Sequence, residues 1–221
     1  MKKSLFISCI LLLISNFTSA GKIYTEFPSQ VDANQKYVFY SHGLILEGNI
    51  DTPINPKKPQ WGMYDFPNVK EQLSDNAYNL IAYHRPKNTD KYEYAHKLKH
   101  DVEHLIRLGV KAENISLIGF SRGGEITLLA SNALKNEKIN YVILAACLGD
   151  IERDPNIKLY GRVLSIYETS DEVGSCKTIQ ERSPRITSFT EKAITTNQQH
   201  GAFFRPNQIW IEPIKTWINA F

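Results

Sequence analysis

The residues of this 221-residue chain with the clearest chemistry are one serine set among glycines, and an aspartate and a histidine downstream of it. Gly119-Phe120-Ser121-Arg122-Gly123-Gly124 follows the apolar run Ile115-Ser116-Leu117-Ile118 and precedes a stretch of helical periodicity. A strand that turns straight into a helix with a serine at its apex strains the backbone there and leaves room only for glycine beside it, the G-x-S-x-G pattern of an exposed nucleophile. A serine hydroxyl attacks a carbonyl only when a base takes its proton and a third group orients that base. His200 is the expected base, being the only one of the six histidines downstream of both other members. Asp171 is the expected acid, just past the apolar run 163–167, with Glu168 and Glu172 as competitors. The oxyanion of an acyl transfer needs two backbone N–H donors. Arg122, the residue after the nucleophile, is expected to supply one and Leu44, in Ser41-His42-Gly43-Leu44, the other, with His42 as a turn residue that holds the loop.

Such groups must be carried to one place by a scaffold. Residues 37–41, 78–83, 115–119, 139–145 and 162–167 read as strands and 186–189 as a weaker one, because each is a short run rich in β-branched or aromatic residues. Residues 66–76, 90–108 and 122–135 carry apolar positions at helical spacing, and Trp210, Ile214, Trp217, Ile218 and Phe221 form a closing helical stripe in which Pro213 either starts or kinks the helix. Strands and helices that alternate, with continuous apolar strands, predict an α/β fold: a doubly wound, mostly parallel sheet with helices on both faces.

Composition narrows the function. With 42% hydrophobic and 22% charged residues the chain is neither disordered nor fibrous. Residues 1–20 have a basic start, an apolar run and small residues before Gly21, the pattern of a signal peptide cleaved after Ala20, which leaves 21–221 as a single domain that is secreted or periplasmic. Losing Lys2 and Lys3 takes the 26 Lys and Arg to 24 against 23 Asp and Glu, so no electrostatic case exists for nucleic acid, and no stable membrane insertion is expected after cleavage. His96, His100 and His104 recur at i, i+4, i+8 and could pair on a metal, but they lie among Lys97, Lys99 and Asp101 opposite the apolar stripe, so a solvated face and no metal are expected. The Arg122 side chain is expected to pair with Glu125 rather than with a substrate carboxylate.

The order strand-His42-Gly43, strand-Gly119-x-Ser121-x-Gly123, Asp171, His200 resembles the α/β-hydrolase superfamily over essentially all of residues 21–221. The resemblance implies a mostly parallel sheet, here of six to seven strands since little chain precedes residue 37, and a Ser-His-acid triad that needs no cofactor. Tyr83-His84-Arg85-Pro86 departs from the aspartate and glycines of many members, and Glu168 from a common glycine. Only 14 residues, 148–161, join the fourth and fifth predicted strands, where many lipases carry a lid, so an open site for a small-molecule or otherwise accessible ester is expected. Peptide cleavage or acyl transfer on the same triad, or a binding protein without turnover, are the alternatives. Cys147 and Cys176 fall at one sheet edge if their strands are neighbours, and in an oxidising compartment they are expected to form a disulfide. Nothing in the residues sets an oligomeric state.

Overall fold

The computed structural model describes residues 21–220; the segment read as a signal peptide and Phe221 lie outside the described residues. Among the described residues the strands are β1 (Ile23–Tyr24), β2 (Lys36–Ser41), β3 (Tyr78–Ile81), β4 (Ile115–Phe120), β5 (Asn140–Leu144), β6 (Tyr160–Glu168) and β7 (Arg185–Ile194). They form one sheet in the order β1-β3-β2-β4-β5-β6-β7, and every pairing is parallel. The helices are α1 (Phe66–Leu73), α2 (Lys91–Arg107), α3 (Arg122–Leu134), α4 (Gly149–Arg153), α5 (Lys177–Glu181) and α6 (Gln208–Asn219).

Alternation along the central strands divides the core into two layers. Val38 and Tyr40 of β2, Ile118 and Phe120 of β4, and Val142 and Leu144 of β5 face α1 and α6, where Phe66, Val69, Leu73, Trp210 and Ile214 complete the packing. Tyr37, Phe39, Ile115, Leu117, Tyr141 and Ile143 point the other way, against Leu98, Val102 and Leu105 of α2 and Ile126 and Leu129 of α3. Both faces of these strands are therefore buried, which is why they read as unbroken apolar runs.

Two expectations are revised, and an alternative left open at Pro213 is settled. The weak strand at 186–189 is ten residues long and mostly exposed, with Ile186, Phe189 and Glu191 half-buried and only Ile194 buried, and it lies at the edge of the sheet. The closing helix begins at Gln208, capped by Asn207 accepting from the Ile209 N–H, so Pro213 lies inside it rather than at its start. The face of α2 read as solvated is only partly so. His96 and His100 are exposed, but His104 stacks on Phe27 with ring centroids 4.9 Å apart. Asp101 is buried and accepts from the Tyr83 hydroxyl at 2.9 Å and from Lys97 at 2.6 Å. The N-terminal segment and the stretch after β3 cover that face, which periodicity within one helix does not reveal.

The strand order reverses between β2 and β4, since the chain builds β3 on one side of β2 and then crosses to place β4 on the other. The crevice at the carboxyl ends of such a pair is where an open parallel sheet gathers its binding groups. Leu44 follows β2, and Ser121 follows β4.

Candidate active site

Ser121 sits between β4 and α3 with φ 53° and ψ −121°, a sparsely populated positive-φ conformation that costs a residue with a Cβ about 1–3 kcal/mol. The surroundings hold it there. Its N–H donates to the Leu144 carbonyl of β5 at 2.9 Å, and its carbonyl accepts from the Glu125 N–H at 2.9 Å. Glycine on either side is a matter of space. A Cβ on Gly119 would collide with the Gly123 carbonyl and the Thr127 hydroxyl, and one on Gly123 would collide with the backbone of Ser41 and His42. The motif thus packs the start of α3 directly onto the ends of β2 and β4.

Asp171 and His200 come together from loops after β6 and β7. His200 Nδ1 lies 2.6 Å from Asp171 Oδ2, and the side chains are 13% and 2% exposed. A carboxylate only accepts, so Nδ1 carries the proton and Nε2 is left as an acceptor. Ser121 and His200 line the same two cavities. Of the competing acids, Glu172 is exposed and Glu168 has another task. Glu168 is fully buried at the end of β6. One oxygen accepts from the Ser170 N–H and hydroxyl at 2.7 and 2.5 Å, and the other from the Thr196 and Asn197 N–H groups at 2.8 and 3.0 Å. Burial opposes its ionisation, but these donors outweigh it and hold the carboxyl below its ordinary range. It therefore ties the Asp171 loop to the His200 loop.

The amides expected to face an oxyanion belong to Leu44 and Arg122, the first residues of a 3-10 turn (Leu44–Leu46) and of α3. N–H groups at such positions have no acceptor within their own helix. The Arg122 guanidinium turns back to Glu125 at 3.2 Å, as expected, and Lys91 joins it, bonded to Glu125 at 3.0 Å and Asp150 at 2.7 Å.

The loop bearing Leu44 is clamped by the stretch whose sequence departs from the family pattern. His42 is fully buried; its Nδ1–H donates to the Gly43 carbonyl at 2.8 Å, and its Nε2 accepts the Arg85 N–H at 3.0 Å. The buried Arg85 guanidinium donates to the His42 carbonyl and to Glu47 at 3.2 Å, while His84 Nε2 donates to the Leu46 carbonyl at 2.6 Å. His42 is thus a structural residue held neutral. Burial, then the Arg85 cation, push its pKa well below the ordinary 6.5. In the unfolded chain it protonates near 6.5 and in the folded protein it resists, so its contribution to stability is complete above that pH and declines as pH falls toward the folded value. Urea unfolding is therefore expected to show stability falling between pH 7 and pH 5, with a shallower fall in His42→Gln.

Cys147, just past β5, is bonded to Cys176, 29 residues on in the loop that follows Asp171, with Cα atoms 5.1 Å apart. Glu191 of β7 holds the same loop, accepting from the Ser175 hydroxyl at 2.6 Å and the Cys176 N–H at 2.8 Å. The disulfide fits an extracellular protein. No helix among the described residues is long and apolar enough to cross a membrane. Opening a loop of this length by Cys147→Ser with Cys176→Ser is expected to lower stability by about 3–4 kcal/mol in urea titrations.

Trp61 is a site residue that sequence reasoning missed. The connection between β2 and α1 folds back over the site, with Ile54 paired to Met63 and the Asp65 N–H donating to the Phe204 carbonyl at 2.8 Å. It brings the Trp61 ring within 5.6 Å of His200. Its prolines at 53, 56 and 59 marked an irregular segment but not its destination. Between β5 and β6, where no lid is expected, the described chain forms only the five-residue α4.

No protein-family model matches the chain, and no curated protein matches it. Solved structures do. SOBER1 of Arabidopsis thaliana aligns over 84% of this chain and 98% of its own, with a TM-score of 0.57 and 15% identity. A predicted CIB-like hydrolase from Thermoplasma acidophilum aligns over 87% and 90%, at 0.54 and 13%. An arylesterase aligns over 85% and 76%, at 0.56 and 11%. Identities this low speak for architecture alone, and together with the parallel seven-stranded sheet and the strained serine between β4 and α3 they show that the chain has the α/β-hydrolase fold.

Proposed function

We propose that the protein is an exported serine hydrolase that cleaves a small or otherwise accessible carboxylic ester. The observation that carries this reading is the 2.6 Å contact of His200 Nδ1 with the buried Asp171, beside a cavity that Ser121 also lines. Solved structures of similar fold include an arylesterase and a thioesterase. In the reaction, His200 Nε2 takes the Ser121 proton as the oxygen attacks the ester carbonyl, and Asp171 stabilises the imidazolium. The Leu44 and Arg122 amides receive the negative oxygen. The alcohol leaves with the proton from His200. Water, deprotonated by the same nitrogen, then attacks the acyl-enzyme and frees the acid and Ser121. No step calls on a cofactor.

The test is rapid mixing of residues 21–221 with p-nitrophenyl esters. The reading predicts release of one equivalent of nitrophenol per protein followed by slower steady turnover, the signature of an acyl-enzyme. Folded protein that hydrolyses no ester of a chemically varied panel above the Ser121→Ala background contradicts it.

A further inference from the structure

Ser121 and His200 border two cavities, of about 320 and 250 Å³, and Trp61 is the only other described residue that lines both. The larger is walled by Leu44, Ile45, Phe120 and Phe204 and carries no ionisable side chain besides His200. The smaller is walled by Ala145, Ala146, Leu148 and Val173, with Glu125, Asp150 and Glu172 also lining it. Lys91 and Arg122 are already bonded to Glu125, and Lys91 also to Asp150.

Trp61 is held firmly where the cavities meet. It ends the 3-10 turn Pro59–Trp61, and its indole N–H donates to Gln199 Oε1 at 3.1 Å, next to His200. Its ring stands edge-on to Phe204 at 5.8 Å. Backbone packs against it directly, since a Cβ on Gly201 would lie 2.7 Å from the Trp61 Cβ.

We infer that Trp61 is a partition that determines substrate size: it separates the acyl and alcohol halves of the bound ester, so the protein takes an ester with a compact group on each side of the scissile bond, apolar on the side of the larger cavity and anionic on neither. This rests on the serine-hydrolase reading. The charge preference follows because the larger cavity has no cation to receive an anionic group, and the smaller meets one with carboxylates. The size limit follows because an indole fixed by a hydrogen bond and two ring contacts yields little to a bulky group. Removing it joins the two spaces.

Fluorophosphonates with a small (ethyl) or a bulky (cyclohexylmethyl) substituent provide the test, with labelling of Ser121 followed over time by mass spectrometry in wild type, Trp61→Ala and Trp61→Leu. Loss of the indole beside His200 slows both probes alike, so the ratio of the bulky rate to the small rate isolates the partition. That ratio is expected to rise at least about tenfold in Trp61→Ala, the scale on which a pocket discriminates by shape. Trp61→Leu is expected to move it the same way and serves should the alanine variant fail to fold. A ratio unchanged in the folded variants, with Ser121 labelled in each, overturns the partition and leaves the hydrolase reading standing. A wild-type Ser121 that the small probe does not label overturns the hydrolase reading and the partition with it.

Discussion

Ser121→Ala is expected to lower kcat by about a million-fold, to the background given by substrate binding and the oxyanion donors. The size of the loss comes from the division of labour at the site. On the proposed mechanism, His200, oriented by Asp171, has no serine proton to take once the hydroxyl is gone, and only the amides of Leu44 and Arg122 are left to favour attack by water. For the same reason His200→Ala costs about as much, and the double variant little more. Stability should separate the serine replacements where activity does not. Alanine keeps the Cβ that makes φ 53° unfavourable, whereas glycine removes it. Ser121→Gly is therefore expected to be equally inactive, yet about 1 kcal/mol more stable than Ser121→Ala in urea titrations.

Asp171→Asn is expected to lower kcat by about ten-thousand-fold at neutral pH, with a small change in KM and a folded protein. The carboxylate accepts the Nδ1 proton at 2.6 Å and so fixes the tautomer whose Nε2 can receive a proton from serine. An asparagine amide can donate to Nδ1 instead, which moves the ring proton to Nε2 and blocks that role. The loop itself does not depend on the charge: the Asp171 N–H donates to the Glu168 carbonyl at 3.1 Å, and the Glu168 carboxylate binds the neighbouring backbone without using the Asp171 side chain. Steady-state kinetics beside circular dichroism would check both halves of the expectation.

What could be read from the sequence was what depends on local geometry. The strand, turn and helix around Ser121 span residues 115–134, so the glycines, the apolar run and the periodicity all report one short stretch. Chain order pointed to Asp171 and His200, which the fold brings into contact, because parallel strands deliver their loops to one edge. Contacts between distant segments were not legible. An arginine in a polar loop reads as a solvated cation. Arg85 is buried only because Glu47 and the His42 carbonyl, 38 and 43 residues earlier, receive it. Glu168 has the residue type of a catalytic acid, and only the folded loops show its oxygens occupied by Ser170, Thr196 and Asn197. His104 looked exposed because its partner Phe27 lies outside its helix. Trp61 gave no signal, as one aromatic in a proline-rich connection does not tell which surface it will cover.

Ser121 as an activated nucleophile is tested most directly by labelling the protein with a small fluorophosphonate and locating the adduct by peptide mass spectrometry. The prediction is a single adduct on the peptide that contains Ser121, absent from Ser121→Ala and His200→Ala. Folded wild-type protein that takes up no label, or an adduct on another residue that persists in Ser121→Ala, would contradict it.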